Sequence, residues 1–170
     1  MMKKRKVITA NEIRGNTFDM IGQQWMLISA EKDGKANAMT ASWGGLGVLW
    51  GVNTAFIFIR ESRFTKEFVD GSDTFTLTFF DHEKYKNMYG YMGSISGRDQ
   101  DKILQTGLTL VHDEDGAPYF DEAELIIVCR KMSATKISPD QFIDPTIDPR
   151  QYPDKDYHTM YVGEIVKVLK

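Results

Sequence analysis

The chain is short of reactive side chains. Its 170 residues include one cysteine, Cys129, and three histidines, His82, His112 and His158. A single cysteine excludes an internal disulfide and fits a reducing compartment, so a cytoplasmic location is expected. Four such side chains, far apart in sequence, leave no dedicated zinc site, and no metal is expected. Positive charge is not in excess: 21 Lys and Arg stand against 24 Asp and Glu, a net charge of −3. Nucleic-acid binding, which usually rests on a basic face, is therefore not expected. Long apolar runs are missing too. Trp25–Ala30, Leu46–Trp50 and Leu125–Cys129 fall far below the roughly 20 residues of a helical membrane span, so no membrane partner is expected. The basic stretch Met1–Lys6 is followed by no apolar segment and reads as a frayed, solvated terminus. Any chemistry is then borrowed from outside the chain.

What remains is ordinary globular material, 42% hydrophobic and 26% charged, of a length that suits one domain over residues 1–170. Two-residue alternation dominates. Thr74–Phe79 alternates threonine with bulky apolar residues, the pattern of a strand with one buried face. Ala55–Arg60 reads as a strand buried on both faces. Trp25–Ser29, Asn37–Trp43, Leu108–His112, Glu124–Lys131 and Met160–Leu169 bring the set to about seven strands. Asp33-Gly34 supplies a hairpin turn between the first two. Helices are short: Arg63–Asp70 capped by Ser62 and stopped by Gly71, one from Asp81 through Tyr89, and Arg98–Thr106 with Ile103 and Leu104 inward and Gly107 ending it. The fold class expected is mainly β, a closed or half-open antiparallel barrel with a few helices.

Residues 138–156 break the pattern. They hold four of the five prolines, Pro139, Pro145, Pro149 and Pro153, which makes regular structure improbable there. The segment reads as an arm or lid over a partner subunit or the edge of a site, with plain disorder as the alternative.

Three runs could carry function. Asn37–Gly45 is dense in small and hydroxyl residues. It is either a surface that a planar ligand can approach closely, or a polar strand with a bulge at Gly44-Gly45. Arg60-Glu61-Ser62-Arg63-Phe64-Thr65 places two guanidinium groups and two hydroxyls where a strand meets a helix N-terminus. It is either an anion site or an ordinary cap with surface arginines. Gly90–Lys102 is a glycine-rich turn into a helix without a Gly-Lys-Ser/Thr ending; Lys102 either reaches an anion or is solvated. Gly45–Gly51 resembles a dinucleotide fingerprint only superficially, since its third glycine falls one place late. Trp43 and Trp50 read as core or interface aromatics, and Cys129 as a buried hydrophobe.

Taken in order, Asn37–Trp43, Arg60-x-Ser62-Arg63-x-Thr65, Phe75–Phe80, Ser96-Gly97-Arg98-Asp99-x-Asp101-Lys102 and His158 ahead of Gly163–Val166 resemble the flavin reductase-like, flavoredoxin-type family from about Phe18 to the C-terminus. The resemblance implies an FMN-binding split β-barrel, usually a homodimer with flavin near the interface. It implies that Asn37, Thr40 and Ser42, with the backbone of Met39 and Ala41, line the flavin ring. It implies that Ser62 and Thr65 grip the phosphate with Arg60 and Arg63 as charge partners, and that His158 lies beside a nicotinamide. The function implied is FMN-dependent oxidoreduction with NADH or NADPH as donor and a flavin, redox protein or monooxygenase downstream. The alternative is a non-enzymatic electron-transfer or flavin-storage protein.

Overall fold

The structure, a computed structural model, describes residues 3–170. Its elements run β1 (Val7–Ile8), α1 (Thr17–Gly22), β2 (Met26–Lys32), β3 (Lys35–Ala41), β4 (Gly44–Leu49), β5 (Val52–Arg60), α2 (Phe64–Gly71), β6 (Thr74–Phe79), α3 (His82–Ser94), α4 (Lys102–Thr106), β7 (Leu110–His112), β8 (Pro118–Phe120), β9 (Leu125–Lys136), α5 (Ile147–Gln151) and β10 (His158–Leu169). Eight strands form one antiparallel sheet, ordered β3-β2-β6-β9-β10-β5-β4 with β1 also on β10; β7 and β8 form a separate hairpin. The two ends, β3 and β4, do not pair with each other, so the sheet is open rather than closed.

Alternation assigns the strand faces. Ile28, Leu77, Ile127 and Cys129 enter one buried cluster with Ile57, Phe75 and Tyr161. Their neighbours Leu27, Ile126 and Val128 enter a second, against Tyr89 and Met92 of α3 and Phe120 of β8. Burial on both faces explains the unbroken apolar run at Leu125–Cys129, and it pushes the Cys129 thiol pKa well up. In β10 the register shifts at Val162/Gly163 and at Ile165/Lys167, so strict alternation of faces along Met160–Leu169 does not hold.

The Asp33-Gly34 hairpin is present, with φ of 53° and 71°. A second hairpin of the same kind, Trp50-Gly51 at φ 54° and 77°, joins β4 to β5. Gly44-Gly45 is therefore the start of a regular strand rather than a bulge. Three glycines in six residues, with no side chains to alternate, concealed β4.

Several boundaries move. Trp25 is left-handed and precedes its strand, and β3 stops at Ala41, so Ser42 and Trp43 lie beyond it. Trp43 and Trp50 are 40% and 62% exposed, not core. Arg63, not Ser62, is the N-cap position of α2, and α2 includes Gly71. α3 is capped by Asp81 but continues past Tyr89 to Ser94. The third helix shrinks to Lys102–Thr106 because Asp101 caps it; Gly107 ends it, and Leu104 points outward, 72% exposed. Residues 3–6 are bound rather than frayed. The Lys3 amide donates to the Asp121 carboxylate, the Arg5 guanidinium to the Ala123 and Asp121 carbonyls, and the Lys6 amide to Lys170. Met1 and Met2 lie outside the described residues. The proline-rich segment holds a 3-10 turn at Pro139–Gln141 and helix α5, because Ser138 and the Asp-Pro pairs suit helix starts. Plain disorder does not describe it.

Candidate functional site

A cavity of about 590 Å³ opens where β5 ends and α2 begins. The 94–97 loop after α3 closes one side and residues 150–156 the other. A smaller cavity of about 130 Å³ adjoins it along the end of β3. Met39, Arg60 and Arg63 border both, so the two form one cleft with two ends.

The larger end is cationic. The Arg60 guanidinium donates to the Asp156 and Gln151 carbonyls, both at 3.0 Å. Arg63 donates to the Gly93 carbonyl at 2.6 Å, and the Lys102 ammonium to the Met92 carbonyl at 2.8 Å. None of the three forms an ion pair with a carboxylate among the described residues. Carbonyls fix these groups without neutralising them, so their charge stays available to an anion. Lys102 is only 4% exposed, which corrects the solvated alternative. Burial, then the nearby Arg63, lowers its pKa to about 8.

Ser62 and Thr65 border this end, and the first amides of α2, those of Phe64 and Thr65, have no acceptor within the helix. The Ser62 amide and hydroxyl both donate to the Asp156 carboxylate, at 3.1 and 2.5 Å. Asn37 lines neither end of the cleft; it sits behind the larger end, where its side-chain amide donates to the buried Thr65 hydroxyl at 2.8 Å. Gly97 passes so close that a Cβ there would lie 2.4 Å from Asn37 Oδ1. Glycine is needed for that approach.

The smaller end is aromatic. Met39, Thr40 and Ala41, on a strand with a free edge, form one wall with Ser42 just beyond the strand. The Thr40 hydroxyl is engaged, donating to the Tyr89 carbonyl of α3 at 2.6 Å, so Thr40 ties β3 to α3. Opposite, the His158 ring lies 4.8 Å from the Trp43 ring and edge-on to Phe58 and Tyr152. Its Nδ1 is hydrogen-bonded to the Tyr152 hydroxyl at 2.9 Å. His158 is 8% exposed. Burial, reinforced by Arg60, lowers its pKa to about 4, so the imidazole is neutral at pH 7.

The cleft thus gathers the residues singled out in sequence, but divides them. Ser62, Thr65, Arg60, Arg63, Lys102 and Asn37 lie at or beside the cationic end. Met39, Thr40, Ala41, Ser42 and His158 lie at the aromatic end. Sequence reasoning missed Trp43, Phe58, Tyr152 and Asp156 as site residues. Trp43 ends the Asn37–Trp43 run, whose small residues marked a ligand surface; Tyr152 and Asp156 lie in the proline-rich segment, where no periodicity marks them. The arrangement suits an elongated ligand with an anion at one end and a flat, weakly polar body at the other. Cys129 lies in the core, outside the cleft.

A family model described as "Flavin reductase like domain" matches residues 18–169. No curated protein sequence matches the chain. Among solved structures, a flavoredoxin from Methanosarcina acetivorans is 22% identical with a TM-score of 0.66, over 85% of this chain and 66% of that one. An FMN-binding domain of a flavin reductases-like enzyme from Shewanella baltica is 16% identical with a TM-score of 0.70, over 99% and 78%. The flavoredoxin of Desulfovibrio vulgaris is 23% identical with a TM-score of 0.64, over 85% and 67%. At these identities the likeness establishes the fold, a split β-barrel whose open seam here runs between β3 and β4.

Proposed function

The chain belongs to the flavin reductase-like family, and on that premise we propose that it binds FMN and acts as an NAD(P)H-dependent flavin oxidoreductase. The observation that carries the reading is the two-ended cleft. Three cations without carboxylate partners, two hydroxyls and the start of α2 meet at one end, and an aromatic wall faces a free strand edge at the other. These residues fit FMN. Ser62, Thr65, Arg63 and Lys102 would hold the phosphate, with Arg60 beside it on the Gln151 and Asp156 carbonyls. The Met39–Ser42 edge and the Trp43–His158 pair would flank the ring. When bound, FMN supplies the redox chemistry, accepting hydride from a nicotinamide and passing electrons on to a flavin or a protein acceptor. The chain's part is to bind and orient. His158, neutral and held by Tyr152, contributes shape and a dry wall rather than a titrating proton.

We further read the active form as a homodimer in the cytoplasm. Phe18 is 87% exposed beside an apolar cavity of about 670 Å³ that shares Ser42, Trp43 and Phe58 with the aromatic end. A second copy covering it would complete that end. A redox protein or monooxygenase would take the electrons. No helix among the described residues is long and apolar enough to cross a membrane.

One observation favours the second reading, a non-enzymatic electron-transfer or storage protein. His158 is caged by Trp43, Phe58 and Tyr152 rather than presented to a nicotinamide. Anaerobic stopped-flow mixing separates the two. Bleaching of bound flavin by NADH or NADPH at a catalytic rate is expected of the reductase. No bleaching with either supports the carrier, and a protein colourless after incubation with FMN refutes both.

A further inference from the structure

The anion seat at the start of α2 already holds a carboxylate. Asp156 accepts hydrogen bonds from the Ser62 amide and hydroxyl, at 3.1 and 2.5 Å. These are two donors that the proposed FMN phosphate would use. The carboxylate forms no ion pair among the described residues. Arg60 binds the main-chain oxygen of the same residue instead. Asp156 therefore contributes a negative charge at the mouth of a cationic pocket while leaving Arg63 and Lys102 on backbone carbonyls.

The chain around Asp156 runs between two fixed points, with the Lys155 ammonium bound by the Asp148 carboxylate at 2.6 Å. On one side, Tyr152 is buried, bonded to His158, stacked on Phe142, and lies against the Arg60 guanidinium at 5.2 Å. On the other, the Tyr157 carbonyl accepts from the Glu61 amide, and β10 begins with His158 paired to Arg60. Between them, Pro153, Asp154 and Lys155 are exposed. Lys155 adopts a left-handed φ of 58°, a conformation that is strained for a non-glycine residue.

We propose that Asp156 is a tethered anion occupying the phosphate seat, and that a phosphorylated ligand binds by exchanging with it, releasing residues 153–156 as a latch. This rests on the FMN reading of the cleft. It makes the phosphorylated cofactor exchangeable, because every binding event must displace a competitor that never leaves the protein. A flavin without phosphate does not meet the latch.

The test compares wild type, Asp156→Asn and Asp156→Ala by fluorescence titration with FMN and with riboflavin, with inorganic phosphate as competitor. Asp156→Ala is expected to bind FMN about tenfold more tightly, given the strength of charge-assisted hydrogen bonds. Asp156→Asn, which keeps size and one acceptor, should gain less. Riboflavin affinity should stay within about twofold in both, and phosphate should compete better in Asp156→Ala. If Asp156→Ala leaves FMN affinity unchanged, weakens it, or strengthens riboflavin equally, the latch is refuted. If no flavin binds any of the three proteins, the FMN reading fails instead. The latch is then decided by deuterium exchange in wild type with inorganic phosphate: faster exchange at residues 153–157 supports it, and unchanged exchange overturns it.

Discussion

The two ends of the cleft hold their polar groups in opposite ways. At the cationic end, Arg63 and Lys102 leave their charge unpaired because only carbonyls answer them, and burial lowers the Lys102 pKa only to about 8, so it stays protonated at pH 7. At the aromatic end, His158 loses its charge because burial, reinforced by Arg60, disfavours it, while its Nδ1 is hydrogen-bonded to the Tyr152 hydroxyl. One end stores electrostatic attraction; the other stores a dry surface. An elongated ligand with one anionic terminus can then bind in only one direction. Orientation arises from this polarity difference rather than from any single contact.

The comparison is broken most severely by removing the hydroxyls of the cationic end. Ser62→Ala with Thr65→Ala is expected to weaken FMN about a hundredfold and riboflavin several-fold at most, at about 1.5 kcal/mol for each hydrogen bond to a charged group. Equal weakening of the two flavins, measured by fluorescence quenching, would show that the anion is not held there.

Next in size is an acid effect confined to the aromatic end. The His158 pKa in the folded chain, about 4, lies below its ordinary value of 6.5. Its contribution to stability is therefore fully present above pH 6.5 and is lost as pH falls toward 4. The loss is expected to reach about 2 kcal/mol. Urea denaturation at pH 7, 5.5 and 4.5 should show wild type losing more than His158→Gln. Parallel losses would mean that His158 is not buried neutral.

Trp43→Ala should weaken FMN and riboflavin alike, by about tenfold, as expected for one lost aromatic wall. Selective loss of FMN would instead move Trp43 to the anion end. The smallest expected effect is a pH dependence of binding. Lys102, with a pKa of about 8, must take up a proton to serve an anion above that pH. FMN affinity should fall about three- to fivefold from pH 7 to 9, where a phosphate monoester, with its second pKa near 6, is already a dianion. Lys102→Met should abolish the slope, and a slope that persists would assign it to another group.

How much of this was legible depended on whether a residue's neighbours shared its pattern. Thr74–Phe79 was readable as a strand from its alternation, but not as one with a single buried face: Thr76 and Thr78 are as buried as Phe75 and Leu77, because β8 lies against the threonine face and its Pro118 carbonyl accepts from the Thr76 hydroxyl. That Arg60, Ser62, Arg63 and Thr65 meet at one cavity was readable because strand end and helix start adjoin in sequence. The role of Ser62 was not. Its hydroxyl caps nothing, since it is bound by Asp156, 94 residues away. Strand β4 was hidden by glycines that carry no facial signal, and its place was set by pairing with β5. Tyr152 was hidden because its partners, His158 and Arg60, meet it only through the fold. Leu104 looked like core by spacing, but a helix of five residues presents too little surface to bury it.

The central claim is that the cationic end recognises a phosphate on a flavin. The most direct measurement is a side-by-side titration of the purified wild-type chain with FMN and riboflavin, followed by flavin fluorescence. The account predicts FMN tighter by tenfold or more, with the difference shrinking toward one in Ser62→Ala/Thr65→Ala. Equal affinities in the wild type, or no binding of either flavin, would contradict it.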